Sequence, residues 1–119
     1  MKYLSYIFII ILSTVCTSGK NIHDINNTEI RVLNNSQYIL RNVSLFSMSF
    51  NDLKPKDISK YKVLRYNSLE DDPLIYATVD NQNFALYLKM PRETVRSTYT
   101  VDSIDMKYKV IHVQLQVDD

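Results

Sequence analysis

Glycine is nearly missing from this chain: among its 119 residues only Gly19 is one. That scarcity excludes whole chemistries. A phosphate-cradling loop, a dinucleotide fingerprint and a Gly-x-Ser-x-Gly nucleophile elbow each need glycines at fixed spacing. It also poses a folding problem. Turns often need a residue at positive φ, and Asn and Asp tolerate that conformation best after glycine. Such residues cluster at Asn34-Asn35, Asn51-Asp52, Asp71-Asp72-Pro73 and Asp80-Asn81, where turns are expected. Cysteine is equally scarce: Cys16 stands alone, so no intrachain disulfide can form. Tryptophan, the usual sugar platform, is absent. Neither sign of charge dominates, with 14 Lys and Arg against 13 Asp and Glu. A nucleic-acid partner needs a basic face, so none is expected. No apolar run reaches the roughly 20 residues of a membrane-spanning helix.

What is present begins with the leader. Lys2 precedes an apolar run from Leu4 to Leu12, followed by Ser13, Thr14, Val15 and Cys16. A positive start, a short apolar centre and a small-residue end form the pattern of an export signal, which is cleaved and takes no part in the fold. Residues 1–15 are read as a signal peptide, 16–28 as a mostly polar tether and 29–119 as the folded domain. Cys16 has three readings. It can be discarded with a longer signal, remain as a free thiol, or accept a lipid. Leu12-Ser13-Thr14-Val15-Cys16 resembles the bacterial lipoprotein box. That resemblance implies cleavage before Cys16 and its acylation. Several acyl chains on one residue give stable attachment, at about 0.8 kcal/mol per buried methylene.

From Glu29 the pattern turns to alternation with β-branched and aromatic residues. Ile30 and Val32 alternate with Glu29 and Arg31. Tyr38 to Phe50 reads as one long extended region whose phase slips near Asn42, which implies a bulge or a kink. Ile58 to Tyr66 alternates again, with Tyr61 and Val63 opposed to Lys60 and Lys62. Leu74–Val79 and Phe84–Leu88 flank a four-residue loop, Asp80 to Asn83, as a hairpin. Thr98–Val101 forms another strand, with a turn between Ser103 and Lys107. In the last strand Ile111, Val113, Leu115 and Val117 face one way, and His112, Gln114 and Gln116 the other. No window sustains a helical period. The expected fold is all-β: an antiparallel two-sheet sandwich, immunoglobulin-like, of about seven strands.

Three pieces carry a family resemblance: Asn42-Val43-Ser44-Leu45, Phe50-Asn51-Asp52-Leu53-Lys54-Pro55-Lys56-Asp57-Ile58-Ser59-Lys60-Tyr61, and Thr98-Tyr99-Thr100-Val101 with a closing strand. Together they resemble short, uncharacterised envelope lipoproteins of Gram-negative bacteria, whose middle piece reads Leu-Lys-Pro-Gly-Glu-x-Ser-x-Tyr. This chain has Lys56-Asp57 where those have glycine and an acid. The resemblance implies a small β-sandwich tethered to a membrane, and it brings no catalytic residues.

Candidate chemistry is sparse. His23 lies in the tether and His112 on the polar side of the last strand, and neither has a partner at metal-ligand spacing. Glu70-Asp71-Asp72 lacks the spaced carboxylates and glycine turn of a calcium loop and reads as a solvated loop. Lys60 and Lys62 share a strand face and guard an edge. Lys54, Lys56, Lys60 and Lys62 can also meet anionic headgroups if the tether keeps the domain near a bilayer. Tyr76 and Tyr87, on opposite hairpin arms and out of phase with their apolar neighbours, are the candidate binding surface for a protein or glycan partner. Cross-strand structural pairing is the simpler role for them. Asn26, Asn34 and Asn42 head Asn-x-Ser/Thr sequons. No catalytic residue, metal or cofactor is expected, and the chain is not read as an enzyme. The sequence describes a non-catalytic binding module, exported to the cell envelope and held at a membrane by lipid on Cys16. The alternative is a freely secreted, glycosylated one.

Overall fold

The computed structural model of the chain describes residues 27–118. The expected signal peptide, Cys16, His23, Asn26 and most of the expected tether lie outside those residues. Eight strands form two four-stranded sheets. They are β1 (Glu29–Asn34), β2 (Leu40–Leu45), β3 (Met48–Leu53), β4 (Lys62–Val63), β5 (Leu74–Val79), β6 (Gln82–Tyr87), β7 (Arg96–Asp105) and β8 (Val110–Val117). One sheet has the order β4-β1-β7-β8, the other β3-β2-β5-β6. The all-β, two-sheet expectation holds. Among the described residues no helix is long and apolar enough to cross a membrane.

Not every pairing is antiparallel. β1 and β7 run parallel, Glu29 opposite Arg96 through to Asn34 opposite Val101. A parallel pair needs a long crossover, and here the chain builds the entire second sheet between the two strands. Local alternation cannot reveal such a pairing.

The core explains the strand pattern. β1 buries Ile30, Val32 and Asn34 on one face. Against them pack Leu40, Val43 and Leu45 of β2, Ile75, Ala77 and Val79 of β5, and Tyr99 and Val101 of β7. Thr28, the last residue assigned to the tether, is buried too: its carbonyl accepts from Leu64 N–H at 2.8 Å and its hydroxyl from Thr94 N–H at 2.9 Å.

The long extended region proves to be a hairpin, β2 and β3, joined at Phe46-Ser47. The phase slip at Asn42 is a bulge: the register shifts between Leu40 and Val43, and Asn42 takes φ 51°. What sequence missed is the turn. Phe46 and Ser47 have φ 52° and 66°, the doubly left-handed backbone of a tight hairpin turn. A left-handed non-glycine residue costs about 1–2 kcal/mol. Burying a phenylalanine side chain returns about 1.5–3 kcal/mol, so the core holds Phe46 in the turn.

The predicted four-residue loop of the other hairpin contains two residues. Asp80 and Asn81 take φ 48° and 64°, and Gln82 and Asn83 already pair with Val79 and Thr78. Nine described non-glycine residues have positive φ. Asn42, Asn51, Asp80 and Asn81 follow the Asn/Asp expectation; Phe46, Ser47, Lys56, Thr94 and Lys109 do not. Asn34 and Asp71-Asp72 are not positive-φ turn residues at all. In Lys54-Pro55-Lys56-Asp57 the turn places Lys56 at φ 73°, a glycine position after a turn proline. Lys56→Gly is therefore expected to stabilise the domain by about 0.5–1 kcal/mol. A urea midpoint that fails to rise would contradict it.

The segment from Ile58 to Tyr66 is mostly irregular. Ile58 bridges Leu33, only Lys62 and Val63 form β4, and the phase differs from expectation. Val63 is exposed, while Leu64 is buried. The cause is that the chain folds down over the core here, carrying the Tyr66 ring onto Phe46, 5.6 Å between centroids. The last hairpin opens at Met106–Lys109, later than expected, because β7 continues through a bulge after Val101. In β8 Ile111 is buried and Val113 and Leu115 are half-buried on the same face; His112, Gln114 and Gln116 are exposed.

Candidate functional site

The β5–β6 hairpin sets the position of the predicted tyrosines. The ladder pairs Leu74 with Tyr87 and Tyr76 with Ala85. Alternation then puts Tyr76 and Tyr87 on the same outward face, as diagonal neighbours. Tyr76 is 40% exposed and Tyr87 76%. Ser44 of β2 faces Tyr76 across the ladder, and Ser49 of β3 faces Ser44. The hydroxyls and rings thus form a strip across the sheet. Partial desolvation and the Asp72 carboxylate, 3.5 Å from the Tyr76 hydroxyl, raise the tyrosine's pKa. The hydroxyl stays protonated and able to donate.

Beside this strip lies a cleft of about 410 Å³ where the edges of the two sheets approach, β6 on one side and β8 on the other. Leu86 and Leu88 face Val113 and Leu115 across it, and Tyr87 stands at its rim. Tyr99 lines its floor and donates its hydroxyl to the Lys89 carbonyl at 2.5 Å. Burial pushes the Tyr99 pKa upward, so the phenol stays neutral. The cleft escaped the sequence because it needs two edges distant in the chain. Its only trace is the unbroken apolar run Leu86-Tyr87-Leu88.

A second polar cluster lies on the outer face of β1 and β7. The Arg31 and Arg96 guanidiniums sit 4.4 Å and 4.7 Å from the Tyr61 ring centroid. Tyr61 donates its hydroxyl to Asp118 at 2.7 Å, and that bond is the main cause of its raised pKa. The Thr98 hydroxyl donates to the same carboxylate oxygen at 2.6 Å and accepts from Arg31 Nε at 2.9 Å. Arg96 Nε donates to Glu29 at 2.8 Å. Each guanidinium has its own carboxylate, which makes the cluster a clasp on the end of β8. No motif marks it in the sequence, since its residues come from four separate segments.

The remaining candidates are dispersed. His112 is exposed on β8. Glu70 and Asp71 close a small loop on Asn67, with Asn67 N–H donating to Asp71 at 2.8 Å. Among the described residues no group of His, Cys, Asp and Glu is placed to hold a metal. The lysines separate: Lys56 reaches Asn35 at 2.8 Å, while Lys62 donates to the Ser49 carbonyl and lies 5.1 Å from the Phe50 ring centroid. Of the two described sequons, Asn42 is exposed, whereas Asn34 is fully buried with its amide bonded inside the domain. A glycan on Asn34 is incompatible with this fold. No family model matches the chain, and no curated protein matches it significantly.

Proposed function

We propose that the chain is a non-catalytic binding or interaction module of a bacterial cell envelope, exported by its leader and anchored through acylated Cys16. One observation carries the reading: a short apolar leader behind Lys2 ends at the single cysteine, and a polar stretch separates it from the first strand. An immunoglobulin-like sandwich is the working domain, and its two four-stranded sheets, which the chain crosses between four times, support that description. Lys56 adds support. It takes φ 73° where the envelope lipoproteins that the chain resembles carry glycine. The partners are the membrane, through the lipid, and a protein or glycan at the Tyr76 and Tyr87 face.

Free secretion with a glycan is the second reading, and the exposed Asn42 sequon favours it. Fractionation and mass spectrometry separate the two. The wild-type protein is expected in the membrane fraction with a lipid-modified Cys16 at its N-terminus, and Cys16→Ala in the soluble fraction. An unmodified N-terminus beyond Cys16, with both proteins soluble, refutes the anchor; a glycan mass on Asn42 would establish the second reading.

A further inference from the structure

The two flanks of the sandwich are finished differently. On one, the segment from Ile58 to Tyr66 lies over the core, β4 has only two residues, and Lys62 covers the β3 edge by donating to the Ser49 carbonyl. Asn51, at φ 63°, bends that edge further. On the other flank β8 ends its sheet with eight residues, Val110 to Val117, and no Lys, Arg, Asp, Glu, Pro or Gly among them. Edges are normally blunted by such residues because a bare one pairs with another chain.

The ladder shows which backbone groups find no partner among the described residues. Asp118 N–H donates to the Arg96 carbonyl at 2.9 Å, so its polar groups point to β7. Backbone direction alternates along a strand. Gln114 and Gln116 therefore also bond β7, and Val113, Leu115 and Val117 present their N–H and C=O groups to the open edge. The Val113 and Leu115 side chains line the cleft.

We propose that β8 pairs antiparallel with β8 of a second copy, across a twofold axis at Gln114. Facing residues share one side of a sheet. This axis sets Val113 against Leu115 of the second copy and Ile111 against Val117, so apolar side chains meet over the cleft. On the outer side Gln114 meets its own counterpart and His112 meets Gln116. The charges agree as well. Lys107 and Lys109 in the turn before β8 come near the end of the other copy's β8. The Asp118 carboxylate there, although held in the clasp with Arg31, Thr98 and Tyr61, still places negative charge, and no lysine or arginine of β8 opposes them. The contact is isologous and closes on itself. It does not depend on how the chain is anchored.

The test uses protein isolated from cells producing the full chain, with Cys16→Ser as the background. Gln114→Cys is expected to form a disulfide-linked dimer under mild oxidation. Facing residues at a non-hydrogen-bonded antiparallel position have Cα atoms about 4.5 Å apart, within disulfide reach. Ala85→Cys, at the centre of the β6 edge, is expected to stay uncrosslinked. In sedimentation the background protein is a dimer, and Gln114→Lys weakens association about tenfold or more by setting like charges opposite. A background protein that is monomeric at every concentration overturns the proposal. So does Ala85→Cys crosslinking as fast as Gln114→Cys, or a residue-114 thiol that links to a different protein, which would assign the edge to a foreign strand.

Discussion

Asn34→Ala is expected to destabilise the domain by about 3–5 kcal/mol, a large part of the roughly 5–15 kcal/mol that holds a typical domain together. Asn34 is fully buried at the end of β1. Its amide nitrogen donates to the Tyr38 and Leu53 carbonyls at 2.7 Å and 2.9 Å. Its side-chain oxygen accepts from Ser36 N–H at 3.0 Å and the Ser36 hydroxyl at 2.6 Å. One side chain thus satisfies the strand end, the next connection and the end of β3. Alanine leaves those groups unpaired in the interior, where each costs about 1–3 kcal/mol. Asn34→Asp keeps the size and the acceptors but loses both donors, so it should also destabilise strongly. The same change at exposed Asn35 should do little. Chemical denaturation decides the matter: a loss below about 1 kcal/mol for Asn34→Ala means the network is not what holds this corner.

Phe46→Ala is expected to cost about 3–5 kcal/mol, the usual range for removing a buried aromatic. The ring lies edge-on to Tyr66 and Tyr99, with centroids 5.6 Å and 5.9 Å away. The backbone supplies a sharper test. Alanine retains the left-handed strain of the turn, and glycine relieves it. Phe46→Gly should therefore be less damaging than Phe46→Ala by roughly 1 kcal/mol, the reverse of the order in an ordinary strand. Equal losses would show that the turn carries no strain of its own.

Those two residues also mark where sequence reading succeeds and where it stops. Ile30 and Val32, Ile75 and Val79, or Ile111 and Val113 announce their faces, because each sits in a strand whose two sides meet different solvents. Asn34 looks like a turn residue because asparagine usually is one; its role depends on Leu53, distant in sequence. Phe46 looks like a strand residue because a phenylalanine at positive φ is unfavourable unless a core pulls on its ring. The adjacent apolar pair Leu45-Phe46, which breaks alternation, was the available sign. Tyr76 and Tyr87 were legible as outward-facing, since both fall out of phase with their neighbours. The cleft beside them and the clasp at Tyr61 were not, because sheet order decides which segments meet. The parallel pairing of β1 with β7 belongs to that class too.

That parallel pairing also fixes the polarity of the domain. Glu29 lies opposite Arg96, and Asp118 bonds Arg96, so the chain enters and leaves at one pole. The connection from Asn35 to Ile39 and the turns at Pro55-Lys56, Asp80-Asn81 and Met106–Lys109 gather at the other. Those four bends form the pole of the described domain opposite Thr28 and Asp118. The neighbouring ends suit a circular permutant: a short linker from Asp118 back to Thr28, with new termini opened at Asp80-Asn81, would leave both sheets intact.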